Sequence, residues 1–196
     1  KAMENTTPFE EGDYDEEIHK TIPFLTDIQR QIIDIVAASK IDVTKWLDIG
    51  CGTGELVAKS AHLFTNTSFT LCDTSAKMLH IAKEKLSSYK NTEFLHVPFQ
   101  AADLSDKYDI ITAVQVLHYC HRADRDKAIH KAYRLVKPNG MFITVNNTAP
   151  SSAYGTNLAL ERWRAFQQQK GQLPEDAEQH MQRYGRAYFP LSAKQQ

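Results

Sequence analysis

Short apolar runs and segments with apolar residues at helical spacing alternate along the chain. The apolar runs predict five strands, at residues 44–49, 68–72, 93–97, 108–114 and 140–145. Helical spacing predicts helices between them, at residues 55–64, 75–89 and 124–136. Strands that alternate with helices pair in parallel through right-handed crossovers, so the pattern predicts an α/β fold with a doubly wound, mostly parallel sheet.

The segments on either side of this alternation have a different pattern. Apolar residues at helical spacing over residues 18–39 predict one or two helices, and an acidic arm at 4–17 precedes them. The arm has few apolar positions, so we expect it to be flexible or to dock on the body. Two more helices, but no strand, are predicted near the end, at 157–168 and 174–184. The predicted parts are an N-terminal acidic arm with helices at 1–40, a core at 41–146 and a helical, cap-like insertion at 147–196.

The composition is that of an ordinary globular protein. The 196 residues suit one domain, and 23 basic against 24 acidic residues leave a formal charge of -1, so no net field attracts nucleic acid or an anionic membrane. No apolar stretch reaches the roughly 18 to 20 residues of a membrane helix. Three scattered cysteines without a C-x-x-C pair are atypical of disulfide frameworks and structural zinc sites, which predicts a reducing, cytoplasmic location.

A glycine-rich turn follows the first predicted strand. From Asp48 to Gly54 the sequence DIGCGTG has glycine at every second position, which permits left-handed backbone and close approach of a ligand. In an open parallel sheet this turn is where nucleotides bind, although a turn that merely needs glycine has the same composition. Asp73 ends the second strand 19 residues after Gly54, where a carboxylate can accept hydrogen bonds from both hydroxyls of a ribose. Asp48 suits a cationic amino group and would repel a pyrophosphate, which disfavours a dinucleotide.

Together these residues resemble the first motif of the class I S-adenosylmethionine-dependent methyltransferases, which reads almost as LDIGCGTG does here. The resemblance covers residues 20–146 and implies a Rossmann-like methyltransferase sheet with S-adenosyl-L-methionine as cofactor. It implies that the methionine and ribose portions of the cofactor contact the turn residues Gly50, Cys51, Gly52, Thr53 and Gly54. It also implies that Asp48 lies near the amino group, that Asp73 holds the ribose, and that Thr74 and Met78 flank the adenine.

The segments after the third and fourth strands carry further candidates. Family members often have an acidic residue after the third strand for the adenine amino group, whereas this chain reads VPFQ there. We therefore expect Pro98 and Phe99 at the adenine, with Phe99 stacked on it, and Asp103 is a more distant substitute for the acid. Residues 108–119 resemble the family's fourth-strand motif, which implies that Val114 and Gln115 border the cofactor.

His118 and Tyr119 begin the loop after the fourth strand. Either could assist proton removal from a phenol or acid acceptor, and His118 is the candidate general base. The alternative for His118 is a structural histidine with backbone hydrogen bonds. Cys120 and His121 add metal-capable side chains, but no obvious pair of carboxylates accompanies them, so we predict no metal site.

Three other features have both a functional and a structural interpretation. Tyr14 in the acidic arm is either a lid over the cofactor, as the resemblance suggests, or a surface anchor. Trp163 and Phe166 either contact the substrate or pack within the helical insertion. The clustered lysines Lys83, Lys85 and Lys90 form either an anion site or a solvated helix face, and the solvated face is the expectation.

The predicted function is transfer of a methyl group to a small-molecule acceptor by in-line displacement. Families that methylate the exocyclic amines of adenine or of glutamine resemble one another in carrying the tetrapeptide NPPY after the fourth strand. This chain has AVQV there, at residues 113–116. Together with the neutral charge, this argues against a nucleic-acid substrate. One alternative is a protein that binds S-adenosylmethionine or S-adenosylhomocysteine without catalysis. The other is a nicotinamide-dependent oxidoreductase.

The resemblance also implies a last helix and a β-hairpin after the fifth strand and any insertion. Residues 188–192 resemble the lead-in to that helix, and the sequence ends at Gln196, so we expect the chain to lack this unit. A fifth strand without that cover would leave Phe142 and Ile143 beside an open edge. Such an edge favours dimerisation, domain swapping or aggregation, and a homodimer is therefore a further expectation.

Overall fold

The computed structural model describes residues 14–195, so the predicted arm lies outside the described residues except for its last four positions. Five strands form one sheet: β1 (Lys45–Ile49), β2 (Ser68–Asp73), β3 (Thr92–His96), β4 (Tyr108–Val114) and β5 (Val136–Val145). The helices within this range are α1 (Tyr14–Thr21), α2 (Leu25–Ala38), α3 (Glu55–Ala61), α4 (Ala76–Lys85), α5 (Arg122–Leu135), α6 (Ala153–Gln169) and α7 (Pro174–Gln182). None of these helices combines the length and apolar character that a membrane span requires.

The sheet has the strand order β3-β2-β1-β4-β5, and every neighbouring pair is parallel. β1 lies at the centre, so the chain builds the sheet outward to one side through β2 and β3 and then to the other through β4 and β5. The order of strands reverses between β1 and β4, and a crevice opens beyond their carboxyl ends. The prediction of a doubly wound parallel α/β sheet is confirmed.

Alternate side chains of β1 enter hydrophobic cores on opposite faces of the sheet. Trp46 is fully buried on one face among residues of α2 and α3, including Val36 and Val57. Leu47 is fully buried on the other face among residues of β4 and α5, including Ile111. Successive strand residues point to opposite faces, so the unbroken apolar run of β1 supplies both cores. This packing fixes the position of the residues at the carboxyl end of β1.

The fifth strand begins at Val136, earlier than the predicted start at residue 140. The residues predicted as a turn, 137–140, are its irregular first part, where the register with β4 shifts and Asn139 has a φ of 65°. Lys137 fixes this part through an ion pair with Asp109 at 2.9 Å. The turn-like residues therefore lie at an irregularity within the strand. Strands accommodate extra residues of this kind as β-bulges.

The first N-terminal helix contacts the cap segment, which we define as residues 147–195. The helical pattern at 18–39 divides into α1 and α2 at Phe24, whose φ of 60° is left-handed. Trp163 of α6 donates from Nε1 to the Thr21 carbonyl at 2.6 Å, and Gln172 donates from Nε2 to Thr21 Oγ1 at 2.8 Å. The end of α1 is thereby tied to the cap segment beside the crevice.

Candidate functional site

Two adjoining cavities lie where the strand order reverses. The first cavity extends from Asp48 at the end of β1 to the cap segment, and the second extends past Asp73 at the end of β2 to Phe99. The residues that line both cavities are Tyr14, Gly50, Gly52, Gln115 and Tyr119. Because they share these walls, the two cavities form one bipartite site.

The glycine turn has left-handed backbone at all three glycines. Their φ angles are 65° at Gly50, 54° at Gly52 and 72° at Gly54, a region that other residues rarely adopt. A Cβ on Gly50 would lie 2.2 Å from Cγ2 of Val116, so glycine also permits the segment after β4 to approach the turn. Gly54 lines neither cavity, and a Cβ there would press against the α4 region. Gly50 and Gly52 thus face the site, whereas Gly54 serves the packing of α3.

The Asp73 carboxylate braces this turn at the mouth of the second cavity. Its Oδ2 accepts a hydrogen bond from the backbone N–H of Gly52 at 2.9 Å, and its Oδ1 accepts one from Ser75 at 2.8 Å. Burial raises the pKa of Asp73 above its usual value, and the backbone N–H groups of Ser75 and Gly52 oppose that rise. The carboxylate is therefore held in a defined orientation beside the turn, where it can accept further hydrogen bonds from a ligand.

Asp48 is a buried acid at the other end of the turn. Only 3% of the residue is exposed, and its Oδ1 accepts a hydrogen bond from Thr112 Oγ1 at 2.7 Å. Thr112 in turn accepts from Nε1 of Trp46 at 2.9 Å, which orients the hydroxyl toward Asp48. Burial raises the pKa of Asp48 to about 7. Within residues 14–195 no basic side chain forms an ion pair with it, so a cationic ligand group in the first cavity would find an acid to pair with.

We expect Asp48→Asn to stabilise the free protein more at pH 8 than at pH 5. The pKa of Asp48 rises from 3.8 to about 7 on folding, so stability is lost as the pH rises between these values. Asparagine carries no charge into the interior, so its advantage should grow by roughly 1.4 kcal/mol per pH unit across that interval and then stay constant. Urea unfolding at pH 5, 6, 7 and 8 measures this difference, with the exposed Asp103→Asn as the control. A difference that does not vary with pH would contradict the buried-acid interpretation.

Helix α1 is clamped over the glycine turn by charged and polar contacts. The Asp15 carboxylate accepts hydrogen bonds from Thr53 Oγ1 at 2.5 Å and from Lys85 Nζ at 2.7 Å. The prediction of a solvated lysine face is therefore wrong for Lys85, because the end of α4 lies within reach of α1. Tyr14, the residue before Asp15, lies over the same turn. A Cβ on Gly52 would lie 3.7 Å from the Tyr14 hydroxyl oxygen. Tyr14 covers the turn, and burial raises the pKa of its hydroxyl.

The far end of the second cavity is apolar. The four residues that the sequence analysis expects at the adenine line it: Thr74, Met78, Pro98 and Phe99. Phe99 is 4% exposed, and the Lys131 ammonium lies 5.0 Å from its ring centroid while donating to its carbonyl at 2.7 Å. Asp73 is the one acidic residue among the described residues that line this cavity, and the exposed Asp103 lines neither cavity.

The residues after β4 bring buried polar atoms to the site. Val114 lines the first cavity, and Gln115, which has a left-handed φ of 56°, lines both. His118 is 1% exposed between the rings of Tyr119 and Tyr188, at centroid distances of 4.6 Å and 4.7 Å. The Oε1 of Gln115 and the Nδ1 of His118 have no hydrogen-bond partner in the described part of the chain. Non-glycine residues in this backbone region cluster at functional sites.

The His118 imidazole is neutral at pH 7. Burial, together with the Arg125 charge, lowers the pKa of His118 to about 3. A neutral imidazole offers one donor and one acceptor, so His118 can orient a ligand but is a weak base. Among residues 14–195 no group of three histidine, cysteine, aspartate or glutamate side chains is arranged to hold a metal ion.

Much of the first cavity comes from residues that the sequence did not identify. α1 and α2 contribute apolar side chains, and the cap segment contributes Asn147, Trp163, His180, Arg183 and Tyr188. Trp163 was a candidate, whereas its predicted partner Phe166 lines neither cavity. The sequence carries no signal that these side chains face a cavity, because that depends on how α6 and α7 pack.

Comparison with known proteins adds sequence relatives. Residues 47–142 match the family model described as a methyltransferase domain. The carboxy-S-adenosyl-L-methionine synthase of Nautilia profundicola is 24% identical over 175 residues, which cover 87% of this chain and 74% of that protein. The ubiquinone/menaquinone biosynthesis C-methyltransferase UbiE of Pseudoalteromonas translucida is 31% identical over 109 residues, which cover 53% of this chain and 43% of that protein. The chain thus spans less than half the length of that UbiE relative.

Solved structures share the fold. The S-adenosylmethionine-bound amino pentose methyltransferase CalS10 of Micromonospora echinaspora aligns with a TM-score of 0.61 and 19% identity, over 75% of this chain and 60% of that chain. The N-methyltransferase NodS of Bradyrhizobium japonicum, in complex with S-adenosyl-L-homocysteine, aligns with a TM-score of 0.58 and 17% identity, over 75% of this chain and 74% of that chain. At these identities the similarity supports the fold of the sheet.

Proposed function

Because the chain belongs to the class I S-adenosylmethionine-dependent methyltransferases, we propose that it binds S-adenosyl-L-methionine and transfers the methyl group to a small-molecule acceptor. The observation that carries this proposal is the Asp73 carboxylate, which is hydrogen-bonded to Gly52 in a turn of left-handed glycines. A carboxylate at the end of β2 beside such a turn suits a ribose at the switch point of the sheet.

The residues of the bipartite site fit the parts of this cofactor. Asp73 would hold the ribose hydroxyls, and Met78 and Phe99 would contact the adenine in the apolar part of the second cavity. The amino group would lie near Asp48, a buried acid without a basic partner among the described residues. Gly50 and Gly52 would let the cofactor approach the backbone.

The chemistry of the proposed reaction places few demands on acid–base groups. When bound, S-adenosylmethionine supplies an electrophilic methyl group that a nucleophile displaces from sulfur in line. The chain's own contribution is to orient the acceptor and to exclude water. Tyr14 and the clamp at Asp15 cover the turn, and the cap segment forms one wall of the first cavity. His118, with its pKa lowered to about 3, would accept or donate one hydrogen bond rather than remove a proton at neutral pH.

Methyl transfer is tested with S-adenosylmethionine labelled in its methyl group and a panel of small amines, phenols and carboxylic acids. Incorporation of label into at least one acceptor, lost in Asp73→Ala, is the expected result. Tight binding of S-adenosylhomocysteine without transfer to any acceptor would instead favour the binding protein that lacks catalysis.

The proposal includes a cytoplasmic location and a homodimer. Cys51, Cys72 and Cys120 are free thiols, which suits a reducing compartment. β5 is an edge strand, and pairing with a second copy would satisfy the backbone groups that an edge leaves open. Light scattering of the purified chain should report the mass of two chains, and the mass of one chain would exclude the dimer.

A further inference from the structure

Arg183, just after α7, is a half-buried cation in the wall of the first cavity. Its guanidinium carbon lies 5.9 Å from the centroid of the Tyr119 ring. Within residues 14–195 the guanidinium has no carboxylate at ion-pair distance and donates no hydrogen bond. Arg164 of α6 differs, because Glu161 and Glu178 each accept from it at 2.9 Å.

The other ionisable groups of the first cavity leave this charge uncompensated. Glu55 is already paired with Lys59 at 2.6 Å. Burial lowers the pKa of both His118 and His180, so both imidazoles are neutral at pH 7. Among the described residues that line this cavity, Arg183 is the one with a permanent positive charge.

The charge of Arg183 acts on the cap side of the cavity. Burial raises the pKa of Tyr119, and the charge of Arg183 opposes that rise. Burial lowers the pKa of His180, and the charge of Arg183 adds to that fall. The pKa of Asp48 is set instead by burial, Thr112 and Asp73, with no contribution from Arg183. In an amino acid the amino group and the carboxylate share one carbon, so a cofactor whose amino group lies near Asp48 keeps its own carboxylate near that end. Arg183 is therefore available to a second ligand.

Aromatic rings that pack against one another form part of the wall of the same cavity. The ring centroid of Tyr188 lies 5.9 Å from that of Tyr119 and 6.0 Å from that of Trp163. All three rings line the first cavity. Flat faces of this kind favour a planar ring. One guanidinium binds a carboxylate through two parallel hydrogen bonds and balances its single charge.

We propose that the methyl acceptor is a planar, ring-containing carboxylic acid whose carboxylate binds Arg183. This inference rests on the proposed function, because it assigns the acceptor half of the same site. Arg183 is then a specificity-determining residue that positions the acceptor against the aromatic wall of the first cavity and does not take part in methyl transfer.

The test uses ring carboxylates and their primary amides, beginning with 4-hydroxybenzoate and 4-hydroxybenzamide. Isothermal titration measures their binding to the protein saturated with S-adenosylhomocysteine. We expect at least one acid to bind the wild type tenfold or more tightly than its amide. That preference should vanish in Arg183→Gln and partly return in Arg183→Lys, while Arg186→Gln, an exposed neighbour, retains it.

Two outcomes would overturn the proposal. One is a panel in which no acid binds the wild type more tightly than its amide. The other is a tenfold loss of S-adenosylhomocysteine affinity in Arg183→Gln, which would assign Arg183 to the cofactor carboxylate. Failure of the wild type to bind S-adenosylhomocysteine at all would instead be a failure of the proposed function, so the two are distinguishable.

Discussion

Asp73→Ala is expected to weaken binding of S-adenosylhomocysteine about 5- to 150-fold, which corresponds to roughly 1 to 3 kcal/mol. The carboxylate has two tasks, since it would accept hydrogen bonds from the ribose and already accepts one from the N–H of Gly52 at 2.9 Å. Its loss removes the ligand contacts and also the brace that orients the glycine turn. Isothermal titration of both proteins measures the effect directly.

The control for this experiment is Asp103→Ala. Asp103 is exposed and lines neither cavity, so its removal should leave the affinity within twofold of the wild type. Equal affinities of Asp73→Ala and the wild type would mean that the ribose is held elsewhere. A loss confined to Asp103→Ala would assign the nucleoside to the loop after β3.

Gly50→Ala is expected to lower the free energy of unfolding by about 2 to 4 kcal/mol and to abolish measurable cofactor binding. The methyl group would meet Cγ2 of Val116 at 2.2 Å and its Cβ at 2.7 Å, so the segment after β4 must move. Left-handed backbone adds roughly 1 to 2 kcal/mol for a residue that has a Cβ. Urea unfolding gives the stability, and titration with S-adenosylhomocysteine gives the binding.

Gly171→Ala separates the two causes. Gly171 also has a left-handed backbone, with φ of 92°, but a Cβ there would meet nothing within 4 Å. This variant should show the backbone cost alone and bind the cofactor like the wild type. If Gly50→Ala were no less stable than Gly171→Ala, close packing of Val116 against the turn would not be the reason for glycine at position 50.

The sequence predicted the sheet and the location of the site because both depend on local patterns. The apolar runs of β1 and β4 are buried on both faces, and the glycine turn follows β1 directly, so a short stretch of sequence carries the information. Asp48 and Asp73 lie at the ends of neighbouring strands, and parallel pairing brings such ends to one edge of the sheet. The predicted start of β5 was wrong, because Pro138 and Gly140 are typical of a turn whether they precede a strand or form an irregular part of it.

The cap side of the site could not be predicted, because its geometry depends on distant contacts. Arg183 and Tyr188 face the cavity only because α6 and α7 pack beside α1, through Trp163 and Gln172 at Thr21. The clamp from Lys85 to Asp15 joins residues 70 positions apart, and helical periodicity gives no indication of such a partner. The neutral state of His118 likewise depends on burial by Tyr188, which no spacing reveals.

The central claim is that the crevice between β1 and β4 binds S-adenosylmethionine through the glycine turn and Asp73. Its most direct test is isothermal titration of the purified chain with S-adenosylhomocysteine and, separately, with NAD. We predict saturable binding of S-adenosylhomocysteine with one site per chain and no detectable heat from NAD at the same concentration. Saturable binding of NAD, with none of S-adenosylhomocysteine, would contradict the account.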